Sequence, residues 1–308
     1  MVAKLLIYKI LQLFCVRVVG FLLVRFKIVK PRDSVVLSKL SLYLLMPAAL
    51  LNAFNFQLTE SVVHRLGMAF LAAIVIHLIL CVLDLLYGKL VSKNAVERAS
   101  IMYPNVGNLI IPIVSFILGA EWVVFSAAFL AVQLLFVWSH GVRLFRADEK
   151  FRIGKVLLNV NVIAIAVGLA LMLLGLSLPD FVGDVTAAFG GVLGPVGMLI
   201  TGMLAATVDF KRVFTNLKLY RVVVARMVIY PCIMLGVIKL FSLIPLLNDK
   251  NILLIAFLSS MTPSATTIVQ FSQIYDQDTE YATAINIFTT AVCVVTMPLM
   301  VMAFEWIV

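Results

Sequence analysis

The sequence predicts an all-α polytopic membrane protein: ten transmembrane helices in two inverted five-helix repeats, with broken, crossing helices at spans 4 and 9. Three observations lead to the polytopic helical class, while the repeats and the breaks follow from individual spans. Of the 308 residues, 63% are hydrophobic and only 13% charged, with mean hydropathy +1.13. Soluble domains run nearer half apolar and about a quarter charged. Apolar runs of about 20 residues, the length that crosses a bilayer, recur along the chain with only short connections between them. Lysine and arginine collect in every second connection. This composition excludes a soluble enzyme, a disordered chain and a disulfide scaffold, and it leaves no room for a soluble domain.

The apolar runs place spans at 5–24, 36–55, 66–88, 99–118, 122–142, 156–176, 186–206, 219–243, 252–274 and 281–304. The first run is long, carries Lys9 and Arg17 and lacks a small-residue cleavage site, so it reads as a span and not a signal peptide. Pro31-Arg32-Asp33, Leu178-Pro179-Asp180 and Asp276-Gln277-Asp278 punctuate the series. The first five-helix repeat occupies 1–145, a cytoplasmic connection 146–155, and the second repeat 156–308. Five spans is an odd number, so the second set enters the membrane from the opposite face. Pro47 and Pro195 lie 148 residues apart and Pro112 and Pro263 lie 151 apart, a faint echo of that repeat.

The net charge of +9 maps sidedness, not nucleic-acid binding, because no cluster of bases is large enough to cover phosphates. Loops 1–2, 3–4, 5–6 and 7–8 with their flanks hold seventeen of the 24 bases, whereas the other side has only Lys4, Arg65 and Lys250. The expected location is the inner (plasma) membrane, with those loops cytoplasmic and both termini on the non-cytoplasmic side. Loop 9–10 is the exception, carrying Asp276, Asp278 and Glu280 and no base. Cys15, Cys81, Cys232 and Cys293 all lie inside apolar runs without metal or redox spacing. No cofactor or metal is expected, and a homodimer is left open.

Span 4 is the most interrupted, reading Tyr103-Pro104-Asn105-Val106-Gly107-Asn108 and then Pro112. A helix start at Pro104 capped by Asn105 would explain the first of these residues but not Gly107, Asn108 and Pro112 deeper in. An opened helix exposes backbone groups, and the two Asn amides offer hydrogen bonds to a polar or anionic solute. Span 9 is the symmetric candidate, with Ser259, Ser260, Thr262, Pro263, Ser264, Thr266, Thr267 and Gln270. Its hydroxyls can bond back to their own helix, and Gln270 is the costlier group to bury. Two half-helix N-termini near one point favour a carboxylate.

At these residues the chain resembles the auxin efflux carrier family, which includes plant auxin exporters and bacterial malate- or malonate-type permeases. The likeness rests on Leu37-Ser38-Lys39-Leu40 with Met46-Pro47-Ala48, Arg98-Ala99-Ser100 with Asn105-Val106-Gly107-Asn108 and Pro112, Gly119-Ala120-Glu121, Leu193-Gly194-Pro195 with Gly202, and Thr262-Pro263-Ser264-Ala265. It implies ten helices in two inverted repeats, with Asn105, Asn108, Pro112 and the Pro263 region beside the substrate. Two departures stand out. Ile110 or Ile111 replaces a usual family glycine, and Gln270 falls near a second span-9 proline of the plant exporters. The short loop 5–6 matches the bacterial permeases.

Charges at depth are expensive and functional by default. Asp84 is the one acid read as lying well inside a span, at a depth similar to Arg17 and Arg226. An ion pair of Asp84 with either arginine is expected, the alternative being a coupling role for Asp84 with H+ or Na+ as the coupling ion. Either arginine would supply a fixed cation to the site if it lined the inner vestibule. His77 and His140 are expected as core or interface residues, and Lys9 and Lys239 as snorkelling ends. The expected function is a secondary permease that moves a small mono- or dicarboxylate across the lipid bilayer by alternating access. A gated channel or uniporter is the second reading. An intramembrane enzyme is disfavoured: there is no second carboxylate for an aspartyl protease, no serine–histidine motif and no phosphate loop for ATP-driven transport.

Overall fold

In the computed structural model, residues 2–56, 60–146 and 153–308 are described, and every regular element among them is a helix. Lys150 and Arg152, with most of the connection expected at 146–155, lie outside the described residues. The principal helices are α1 (Val2–Arg25), α2 (Pro31–Ala53), α3 (Glu60–Leu90), α4 (Ala95–Met102), α5 (Val106–Ile117), α6 (Val123–Phe145) and α7 (Val160–Leu173). They continue with α8 (Asp180–Ala205), α9 (Leu217–Ser242), α10 (Lys250–Ser260), α11 (Thr266–Ile274) and α12 (Thr279–Ile307). Among the described residues, seven helices are long and apolar enough to cross a membrane: α1, α2, α3, α6, α8, α9 and α12. The helices α5, α7 and α10 are shorter but equally apolar in character.

Local sequence explains where these helices begin and end. Side-chain oxygens of Asn94, Asn159, Asn216, Asp249 and Asp278 accept first-turn N–H groups at the starts of α4, α7, α9, α10 and α12. The end of α7 closes on Gly175, whose φ of +66° suits glycine, with the Leu176 N–H returning to the Leu171 carbonyl. Widened π turns precede Pro47, Pro112 and Pro231, at Ser41–Leu45, Val106–Ile110 and Ala225–Ile229. A proline ring clashes with the carbonyl four residues back, and an extra residue in the preceding turn relieves that clash without ending the helix.

The outer faces are apolar where those of a soluble protein would be polar. On α3, Leu71, Ile74, Leu78, Val82 and Leu85 recur at helical spacing and are all exposed, while Ala69, Ala72, Ala73, Ile76 and Leu80 face the core. With lipid outside and apolar side chains inside, close packing has to come from small residues. The backbones of α1 and α8 meet at Gly20 and Gly202; a Cβ at Gly20 would stand 2.5 Å from the Leu199 carbonyl oxygen. Gly190 of α8 likewise lies against Ala49 of α2, and Gly168 of α7 against Phe54.

The connections fall into two groups, one at each end of the bundle. At one end, Gln273 exchanges hydrogen bonds with Ser34 and Ser38, Arg146 lies over the Tyr275 ring, and Glu280 accepts the Asp209 N–H. Glu97 joins this group through Arg221 and Tyr281. The acidic stretch 276–280 therefore shares an end with the basic connections, which accommodates the exception noted in loop 9–10. At the other end, Asn55 accepts the Leu178 N–H, Arg65 pairs with Asp249, and Arg65 also lies over Trp122.

Gly20→Val should lower the thermal unfolding midpoint of detergent-solubilised protein by the equivalent of about 1–3 kcal/mol, since the backbones of α1 and α8 leave no room for a side chain. Gly67→Ala, where a Cβ would meet nothing within 4 Å, should change stability by no more than about 1 kcal/mol, in the stabilising direction.

Candidate functional site

Both interruptions expected from proline are present, and they meet. The helix α4 stops at Met102 and α5 resumes at Val106; α10 stops at Ser260 and α11 resumes at Thr266. The two short stretches between them run antiparallel, with Pro104 opposite Ser264. The Asn105 N–H donates to the Pro263 carbonyl at 3.0 Å, and the Ala265 N–H donates to the Tyr103 carbonyl at 3.0 Å. Pro104 thus occupies the position of an antiparallel pair that needs no N–H. Pro263 sits in the second break as Pro104 does in the first. Pro112 lies beyond the break, inside α5, so the 112/263 spacing does not join equivalent positions.

Side chains from other helices satisfy several further backbone groups. Gln133 of α6 donates to the Pro104 carbonyl at 2.7 Å, and Asn286 of α12 donates to the Ser264 carbonyl at 2.6 Å. Thr289 accepts the Ser264 N–H at 3.2 Å. Arg226 of α9, fully buried, donates to the carbonyls of Ile101, Ser260 and Thr262 at 2.9, 2.9 and 2.8 Å. One guanidinium therefore covers the C-terminal ends of both α4 and α10, where the helix dipoles are negative. The positive N-terminal ends of α5 and α11 are left at the break.

The side chains of the first break do not cap. Asn105 makes no capping bond; its Nδ2 donates to Thr266 Oγ1 at 3.3 Å across the break. Asn108 Nδ2 donates to Asn105 Oδ1 at 3.2 Å, and Asn108 Oδ1 has no partner among the described residues. Asn105, Asn108 and Thr266 are thus brought together with Pro263. Thr267 is buried beside them in the first turn of α11, and Gln270 is buried one turn further with both amide atoms unpartnered among the described residues. Gly107 and Pro112 face elsewhere, lining a cavity of about 490 Å³ with Asn52, Asn55, Ser115 and Gly194. That cavity opens toward the end that holds Asn55 and Leu178.

Asp84 differs from expectation. It pairs with neither Arg17 nor Arg226 but with Arg98, whose Nε and Nη2 reach its two oxygens at 3.0 and 2.5 Å, and with His140 Nε2 at 3.3 Å. Arg98 reaches it because α4 folds straight back along α3 at Gly88, where a Cβ would stand 2.9 Å from the guanidinium carbon. His140 is accordingly a polar partner of Asp84 and not a simple core residue. Its Nδ1 lies 2.9 Å from the Tyr103 hydroxyl, which also donates to the Phe136 carbonyl. His77 is a core residue, bonded to the Ala73 carbonyl. Glu97 is buried and bonded to Tyr87, Arg221 and Tyr281. Gln133, Asn286 and Glu97 went unrecognised in the sequence; the only signal was a lone amide or acid in an apolar stretch or at its border.

A helical bundle that is apolar outside and buries polar side chains around two paired helix breaks has the build of a multi-pass membrane protein. Compared with family models, the chain matches the one described as membrane transport protein twice, over residues 5–155 and 149–301. It belongs to that family, the auxin efflux carrier family of the resemblance, and it is a transporter and not an enzyme. No curated protein matches the chain.

Arg226→Gln should lower the unfolding midpoint strongly, because up to three buried carbonyls lose their donor at about 1–3 kcal/mol each. Arg226→Lys should restore only part of that stability, since an ammonium lacks the planar fork that spans two helix ends. Thermal unfolding in detergent reads both.

Proposed function

We propose that the protein is a secondary carrier for a small organic anion, a mono- or dicarboxylate, working by alternating access. In this reading α4 with α5 forms span 4 and α10 with α11 forms span 9. The chain then has ten spans in two inverted repeats, 1–145 and 156–308 joined through 146–155. The equivalent use of Gln133 on span 5 and Asn286 on span 10, each holding the middle carbonyl of its own repeat's break, supports that symmetry. The observation that carries the anion assignment is the asymmetric treatment of the four half-helix ends. Arg226 covers the two negative ends, while the two positive ends remain beside Asn105, Asn108 and Thr266.

The basic end of the bundle is taken as cytoplasmic, in an inner (plasma) membrane, with both termini outside. The cavity bordered by Gly107 and Pro112 then opens outward as the vestibule, and Pro263, Thr266, Thr267 and Gln270 lie on the far wall of the site. H+ or Na+ is the coupling ion. The run from Asp84 through His140 to Tyr103, which ends at the break itself, supports a proton route. The short loop 5–6 favours a permease of the bacterial malate or malonate type.

Counterflow of labelled malate, malonate and oxalate in proteoliposomes should be saturable in the wild type. It should be lost in Asn108→Ala at unchanged protein incorporation. Wild-type counterflow in the variant would remove Asn108 from the site, and linear flux without counterflow would indicate a channel.

A further inference from the structure

The buried charged side chains among the described residues are Arg17, Asp84, Glu97 and Arg226, with the titratable His77 beside them. Three of the four charges are balanced. Asp84 has Arg98 and His140, Glu97 has Arg221 with two tyrosine hydroxyls, and Arg226 has three carbonyls at negative helix ends. Arg17 is the exception. It is only 3% exposed, on α1, and one nitrogen is engaged: Nη2 donates to Asn286 Oδ1 at 2.8 Å and lies 3.5 Å from Met198 Sδ. Its Nε and Nη1 have no hydrogen-bond partner among the described residues. Burying a cation without an anion or a full set of acceptors costs several kcal/mol, by order of magnitude. Packing alone gives no reason to retain it.

The surroundings of Arg17 connect it to the break in two directions. Asn286, which takes its Nη2 bond, donates from its other end to the Ser264 carbonyl opposite Pro104. Met198, which touches the guanidinium, follows Gly197, where a missing Cβ makes room for the Asn108 amide: a Cβ there would lie 2.9 Å from Asn108 Cγ. Two further buried polar atoms of this region, Asn108 Oδ1 and Ser264 Oγ, also lack partners among the described residues. Both links from Arg17 therefore lead to residues of the breaks that hold unpartnered buried polar atoms, where α5 and α11 begin.

We propose that Arg17 is the fixed counter-charge of the substrate site, the group that receives a carboxylate of the transported anion. The assignment rests on the carrier reading above and adds to it the residue that separates a carboxylate from an uncharged solute of the same shape. The helix ends favour negative charge through partial dipoles, whereas a guanidinium with N–H groups to donate makes a charge-assisted hydrogen bond to a carboxylate oxygen. Arg17 also joins α1 to α12 through Asn286, so its engagement by an anion bears on the contact between those helices. Arg226 is less suited to this role, because each of its three nitrogens already donates to a carbonyl at a negative helix end.

The test uses purified full-length protein in detergent, with malate, malonate, oxalate and acetate, and with malonamide as the uncharged counterpart. Affinity is read by ligand-induced thermal stabilisation for the wild type, Arg17→Gln, Arg17→Met and Arg17→Lys. The wild type should bind at least one carboxylate and prefer malonate to malonamide. In Arg17→Gln and Arg17→Met carboxylate binding should weaken by about tenfold or more, the scale of one charge-assisted hydrogen bond, and the preference over malonamide should collapse. Arg17→Lys should keep part of that preference. Without ligand, the Gln or Met variant should melt no lower than the wild type, because an unbalanced buried charge has been removed. Should the wild type bind none of the four anions, the carrier reading and this assignment both fail. If the wild type binds a carboxylate and a folded neutral variant binds it equally well, Arg17 is excluded and the carrier reading stands. If both neutral variants melt lower without ligand, Arg17 is a structural residue and the proposal is overturned.

Discussion

Two backbone hydrogen bonds, from Asn105 to Pro263 and from Ala265 to Tyr103, hold together what two prolines have opened. A polypeptide in a bilayer has no water to satisfy freed N–H and C=O groups, so irregular backbone survives at depth only where protein supplies partners. Each break supplies them for the other. The remaining groups draw in Gln133, Asn286, Thr289 and Arg226 from three further helices, and this fixes how those helices pack around the breaks. Small residues complete the arrangement where backbones touch, above all Gly20 against α8.

Charge follows from the same constraint. Four half-helix ends meet near one place, and their dipoles would oppose one another if left bare. Arg226 settles the two negative ends, and Asp84 and Glu97 are settled by cations on neighbouring helices. The surplus that remains is positive, in the two N-terminal ends and in Arg17. A membrane interior tolerates such a surplus only at a cost in stability.

Much of the fold is legible in the sequence because the bilayer acts on each segment separately. Leu71, Ile74, Leu78, Val82 and Leu85 must be apolar whatever they neighbour, Asn159 and Asp249 mark helix starts by local bonds, and Pro104 and Pro263 break their helices wherever these lie. The site was half legible. Asn105, Asn108 and Thr266 stand out as polar groups beside prolines, and they do converge. Gly107 and Pro112 instead border the neighbouring cavity. Similar depth points Asp84 to Arg17 or Arg226, in the wrong helices, because depth along a span says nothing about which neighbour faces it. Arg98, fourteen residues on, is nearer because α3 and α4 form a hairpin.

The lipid surroundings, the placement of the apolar segments and the positions of both breaks are readable from the chain alone, since each depends on a segment's own residues and the lipid around it. Folding is what pairs the breaks with each other, spends Arg226 on helix ends, and leaves Arg17 with unpartnered donors among the described residues. Those outcomes depend on which faces of distant helices meet, and hydrogen bonding between residues more than 150 positions apart leaves no periodic trace in a single chain.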